Sequence, residues 1–125
     1  KMMKPDAESI VAAMKTAVKV TPSLKSRFNA VVEFRISEDG GNVVKERIDI
    51  SKKKKNDDDA ADLIVTSDLN LFQQLLNKKL TPQQAFMQGK LKIKGNMALA
   101  MKLALVLNAT RKVLLDNKKK PLSKL

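Results

Sequence analysis

The sequence predicts an α+β domain whose sheet is mixed, and three observations carry that reading. Apolar residues recur at helical spacing near the start, alternate through the next third, and return to helical spacing towards the end. Cap and turn residues punctuate each change of period. One alternating run stands alone between helical stretches, so its strand reaches the sheet by way of helices, and the sheet is expected to be mixed. The order of elements reads α-β-β-β-α-α-β-α, with no internal repeat.

Met3, Ala7, Ile10, Met14 and Ala17 step by four, three, four and three, which places them on one helical face. Lys4, Glu8, Lys15 and Lys19 fall largely off that face. Pro5 suits a first turn, and Pro22 stops the helix near Thr21. Such a helix packs on a sheet or, being cationic, also touches a membrane surface.

From Phe28 the period becomes two. Phe28, Ala30, Val32, Phe34 and Ile36 alternate with mostly polar neighbours and predict a half-buried strand. Glu38-Asp39-Gly40-Gly41-Asn42 is turn chemistry. A second strand runs from about Val43 to Ile50, with Val44, Ile48 and Ile50 on one face and Glu46 out of place among them. The loop at 52–59 holds Asp57-Asp58-Asp59, which lacks the alternating spacing of a calcium loop, so no metal site is expected. Leu63–Thr66 is a short third strand.

Ser67-Asp68 caps a helix carrying Leu71, Phe72, Leu75 and Leu76. Thr81-Pro82-Gln83-Gln84 reads as a capping box with proline at the first helical position, and Gly89 closes the short helix that follows. Lys90-Leu91-Lys92-Ile93-Lys94 alternates strictly and predicts a strand with three lysines in one solvent-facing row. Gly95-Asn96 turns the chain into a last helix. From Met97 to Leu107 only Lys102 is polar, whereas a surface helix keeps a broad polar stripe. That helix is either buried between layers or lines a cavity for an apolar ligand. The six methionines suit an adaptable apolar site, though methionine also fills ordinary cores.

Composition narrows the chemistry. The 125 residues suit one domain with a real core, expected over 1–117. They contain no Cys and no His, which removes Ser-His and Cys-His nucleophiles and zinc sites from this stretch. A carboxylate enzyme would need Glu46 and Asp49, which alternation puts on opposite strand faces; no catalytic residue and no cofactor is expected. Net charge is +12, with nine bases and seven acids in residues 1–50 and sixteen against six thereafter. Such a field attracts phosphate-bearing partners. Nucleic acid is disfavoured because Phe28, Phe34, Phe72 and Phe86, the only aromatics, sit at core-like positions and offer no stacking platform. No apolar run approaches the roughly 20 residues of a membrane span. Residues 118–125 are expected to be a mobile tail: Lys118-Lys119-Lys120-Pro121 resists burial, and Ser123-Lys124-Leu125 reads as a peroxisomal address for an import receptor.

The stretch Pro82-Gln83-Gln84-Ala85-Phe86-Met87-Gln88-Gly89-Lys90-Leu91-Lys92-Ile93-Lys94-Gly95 resembles the sterol-carrier, or non-specific lipid-transfer, family, whose pattern is P-x-x-A-F-x-x-G-x-L-K-x-K-G. Asn29–Phe34, Ile48-Asp49-Ile50 and Ala60-Ala61-Asp62 are similar to that family's strand segments. The resemblance implies a mixed sheet of about five strands covered by helices and enclosing a hydrophobic lipid-binding tunnel. It implies a monomer that binds fatty acids, fatty acyl-CoAs or sterols without chemistry, alone or as the terminal module of a peroxisomal β-oxidation enzyme. On this sequence the expected lining is Val32, Phe34, Ile48 and Ile50 from strands, and Leu71, Leu75, Phe86, Met87, Met97, Met101 and Leu105 from helices. Lys90, Lys92 and Lys94 are expected to meet a headgroup or an anionic membrane. Glu46 departs from the pattern, since relatives often carry an aromatic residue in the second strand; it is expected either to reach solvent or to sit near the tunnel mouth.

Overall fold

A computed structural model describes residues 4–54 and 59–119. Helix α1 (Ala7–Val20) starts where the Asp6 carboxylate accepts the Ser9 backbone N–H at 2.8 Å. Its apolar stripe, Ile10, Met14 and Ala17 among it, is buried. Pro22 ends α1 and opens α2 (Pro22–Arg27), a helix the sequence did not announce. Its six residues bury only Leu24, too little for a period to show.

Asn29, at φ 48°, redirects the chain into β1 (Ala30–Ser37). Strand β1 pairs antiparallel with β2 (Val43–Ile50), Ala30 opposite Ile50 and Ser37 opposite Val43. Strand β3 (Leu63–Asp68) then lies parallel to β1 on its other side, Val32 opposite Leu63. Helices α3 (Leu69–Leu76) and α4 (Pro82–Met87) precede β4 (Lys92–Gly95), which pairs antiparallel with β3. Short α5 (Met97–Ala100) and long α6 (Leu103–Lys119) complete the order.

The sheet runs β2-β1-β3-β4: four strands among the described residues against the expected five or so. It is mixed, but for a different reason than expected. The parallel pair is β1–β3, because β2 returns the chain to the start of β1 before β3 begins. The strand set apart by helices, β4, is antiparallel to its neighbour.

All the helical cover lies over one face. Val32, Phe34 and Ile36 of β1, Ile48 and Ile50 of β2, and Leu63 and Val65 of β3 point into the core. Helices α1 and α6 pack on each other, α1 also meets β2, and α3 bridges α6 to β1 and β3. Phe34 and Phe72 meet edge to face, with ring centroids 5.7 Å apart. The opposite face carries partly exposed Glu33 and Arg35, exposed Lys45, and exposed Lys92 and Lys94.

Two local expectations are corrected. The lysine row is shorter than the alternation suggested: Lys90 lies in the turn after α4, its N–H bonded to the Ala85 carbonyl at 3.0 Å, and only Lys92 and Lys94 belong to the strand. The last helix is two helices. At Met101–Lys102 the Lys102 N–H bonds the Leu99 carbonyl at 2.9 Å, an i→i−3 contact that breaks the α-helical ladder. The Lys102 ammonium donates to the Arg27 carbonyl at 3.1 Å and ties this break to the end of α2.

Candidate functional site: an apolar pocket at the β4 edge

Three elements wall a cavity of about 350 Å³ beside β4. The first is α4, held by a complete capping box: the Thr81 hydroxyl accepts the Gln84 N–H at 3.0 Å and the Gln84 side chain accepts the Thr81 N–H at 3.1 Å. Ala85, fully buried, seats α4 against the core and turns Phe86 and Met87 outward to the cavity. Thr81, Pro82 and Gln83 complete that wall.

The second element is β4, which supplies Ile93 as the floor. Gly95 decides where the strand ends. Its φ is +120°, and a Cβ there would stand 2.4 Å from the Asp62 carbonyl oxygen. Only glycine permits that approach. The same carbonyl accepts the Asn96 N–H at 3.1 Å, and the Asp62 carboxylate accepts the N–H of buried Val31 at 2.8 Å. Asp62 thus fixes both β1 and the start of the third element. There the Asn96 side chain caps the Ala98 N–H at 2.9 Å, and Met97, Ala100, Met101 and Ala104 face the cavity.

This division explains the almost wholly apolar stretch 97–107. Leu99, Leu103, Val106 and Leu107 are buried in the core, while Met97, Met101 and the alanines beside them look into the pocket. The segment is thus buried on one side and lines a cavity on the other. Among the described residues, no charged side chain lines the cavity. Met87 and Met101 stand at its opening, each 76% exposed.

Of the residues singled out from the sequence, Phe86, Met87, Met97 and Met101 come together on this cavity. Val32, Phe34, Ile48, Ile50, Leu71 and Leu75 do not line it; they are buried in the core, filled by facing side chains from α1, α3 and α6. Leu105 is half-buried against that core, one position past the cavity-facing Ala104. Lys92 and Lys94 flank Ile93 in sequence and therefore project to the other side of the sheet, near Arg35, Ile64 and Thr66. Glu46 sits on the inward register opposite Phe34, but at the far edge strand, away from this cavity. Ser123-Lys124-Leu125 lies outside the described residues. Sequence reasoning missed Thr81, Pro82, Gln83, Ile93, Ala100 and Ala104. The alanines had a signal: they continue the Met97–Met101 face at three- and four-residue steps.

A sheet covered on one face by helices, opening at its edge into an uncharged apolar pocket, is the build of a lipid-binding domain. The chain belongs to the SCP-2 sterol transfer family, whose description matches residues 12–108. It is 42% identical over 85 residues to hydroxysteroid dehydrogenase-like protein 2 of Bos taurus, covering 63% of this chain and 20% of that protein. It is 54% identical over 48 residues to sterol carrier protein 2 of Homo sapiens, covering 38% of this chain and 9% of that protein. The chain thus spans a fifth or less of the length of these curated relatives. Among solved structures, palmitated SCP2L2 from Aedes aegypti superposes with a TM-score of 0.62 at 27% identity, over 83% of this chain and 96% of that one.

Proposed function

We propose that the domain carries a fatty acid, a fatty acyl-CoA or a sterol non-covalently in the β4-edge pocket and exchanges it with anionic membranes. The pocket is the observation that carries this reading. It is uncharged, and its volume of about 350 Å³ falls within the range of ligand sites, roughly 300–1,000 Å³. The mosquito relative named as palmitated supports an acyl chain as one ligand. Energetics allow it: some 15 methylenes at ~0.8 kcal/mol give about 12 kcal/mol gross. Association costs of about 4–15 kcal/mol offset much of this. The basic residues Lys92 and Lys94 suit phosphate-bearing surfaces, and we take the carrier to work as a monomer.

The test is displacement of a fluorescent C16 fatty acid by palmitate, palmitoyl-CoA and cholesterol, with mass spectrometry of lipid co-purifying with the protein. Micromolar or tighter displacement by at least one of them is expected. A folded protein that neither binds the probe nor co-purifies with lipid would overturn the proposal.

A second reading is favoured by the hydroxysteroid dehydrogenase-like relatives, of which this chain matches only a part. In it the domain presents lipid to an enzyme domain on the same polypeptide. Delivery to peroxisomes through Ser123-Lys124-Leu125 belongs to either reading. A fluorescent protein fused ahead of residues 59–125 is expected in peroxisomes, and in the cytosol once Leu125 is deleted.

A further inference from the structure

We propose that Met87 and Met101 form a reversible oxidation site that gates the pocket: a hydroperoxide converts their thioethers to sulfoxides, and the oxidised mouth holds an acyl chain more weakly. The inference rests on the pocket being the lipid site.

Three observations carry it. These 125 residues contain six Met and no Cys, Trp, Tyr or His. Methionine sulfur is therefore the group here that a hydroperoxide attacks most readily. Accessibility then sorts the described methionines steeply: Met14 is 0% exposed, Met97 46%, and Met87 and Met101 76% each. Finally, the two most exposed of these methionines line the same pocket from different elements, Met87 closing α4 and Met101 in the turn between α5 and α6. A pair so placed touches whatever enters the pocket.

The chemistry balances without any group from the protein. A sulfur lone pair attacks the hydroxyl oxygen of the hydroperoxide, the O–O bond breaks, an S–O bond forms, and the second oxygen takes up that hydroxyl's proton and leaves, as water from hydrogen peroxide or as an alcohol from an organic hydroperoxide. Sulfur is oxidised and the hydroperoxide is reduced. The product is a polar, chiral side chain in place of a flexible apolar one. An acyl chain seated against it must strip water from the sulfoxide oxygen, and the lining is mostly apolar, with Thr81 and Gln83 as its polar side chains. Methionine sulfoxide reductases, one for each epimer, reverse the change.

The experiment treats the protein with hydrogen peroxide, removes the excess, maps sulfoxides by tandem mass spectrometry and measures the Kd for the fluorescent C16 fatty acid. Met87 and Met101 are expected to oxidise first, Met97 next and Met14 last. The Kd should rise about five- to tenfold, the scale of one poorly satisfied polar group in an apolar site. Incubation with both reductases should restore it. At a peroxide exposure that oxidises Met87 and Met101 of the parent but leaves Met97 reduced, the ratio of Kd after to before treatment should stay near one for a Met87→Leu/Met101→Leu variant, whatever its starting affinity. Equal ratios in parent and variant would overturn the gate, as would an unchanged Kd with both sulfoxides present. Oxidation of Met14 as fast as Met87 would also overturn it. If the untreated, folded parent does not bind the probe, the lipid reading itself fails and the gate falls with it.

Discussion

The Lys15 ammonium lies 2.7 Å from a Glu46 carboxylate oxygen, joining the solvent side of α1 to the edge strand β2. Glu46 occupies an inward-facing register position opposite Phe34, where an apolar residue would be expected. At an edge strand its side chain reaches out instead, and it meets Lys15 with 31% of its side-chain surface still exposed. The carboxylate that breaks the strand's pattern is thus a surface ion pair, at the opposite edge of the sheet from the pocket.

That exposure sets the size of the pair's contribution. A Glu46→Ala/Lys15→Ala double-mutant cycle in urea is expected to give a coupling below about 1 kcal/mol, falling further in high salt. A coupling of several kcal/mol, insensitive to salt, would show a buried pair instead.

Gly95→Ala tests the junction that places the pocket. The added Cβ meets the Asp62 carbonyl at 2.4 Å, on a backbone that side chains rarely adopt. Destabilisation of about 1–3 kcal/mol is expected, read as a lower urea midpoint at constant m. Fatty-acid affinity should drop with it, because Asn96 and α5 start from the same Asp62 carbonyl.

Asp6 supplies a pH dependence. Hydrogen bonds from Ser9, side chain first and backbone second, hold its carboxyl below the ordinary value of 3.8. A carboxyl depressed on folding stabilises the native state above its unfolded pKa, and that contribution is lost as pH falls through the folded one. The parent should therefore lose stability in acid faster than Asp6→Asn, which keeps the N-cap without the charge. Parallel midpoint-versus-pH curves for the two proteins, measured by urea unfolding, would contradict this.

Ala104→Phe places a ring in the pocket from a position that is exposed and faces the cavity. Fatty-acid affinity is expected to fall at least about tenfold, ~1.4 kcal/mol, with stability changed by no more than about 0.5 kcal/mol. Retained affinity in the folded variant would place the ligand elsewhere.

Lys92→Ser/Lys94→Ser tests the basic outer face. Each basic residue near an anionic bilayer contributes about 1 kcal/mol, screened within roughly 8–10 Å at ordinary salt. Transfer of a fluorescent fatty acid to anionic vesicles is expected to slow in the variant at low salt, and transfer to neutral vesicles to stay the same. Equal rates on both would make these lysines a solubilising surface only.

Much of the architecture was legible because it is local. The α1 stripe, the alternation of β1 and the Asp68, Thr81 and Asn96 caps each bury or satisfy groups a few residues apart, and such signals survive in a linear reading. The motif Pro82–Gly95 likewise carried the family. Helix α2 escaped because one buried leucine makes no period. The break at Met101–Lys102 escaped because its anchor, the Arg27 carbonyl, is 75 residues away.

The sequence by itself determined that Phe86, Met87, Met97 and Met101 are apolar residues in or beside helical stretches, and that no histidine or cysteine chemistry is available in this stretch. Only the tertiary structure decided that these four share one pocket while Phe34, Ile48 and Leu75 fill a packed core. Both groups are large apolar residues, and apolarity alone does not tell a core position from a cavity lining. What separates them is helical cover: β1 and β2 lie beneath α1, α3 and α6, although β2 is itself an edge strand, whereas β4 at the other edge is short and held by Gly95 against Asp62. Apolar side chains under packed helices become core, and those beside the β4 edge line an open pocket.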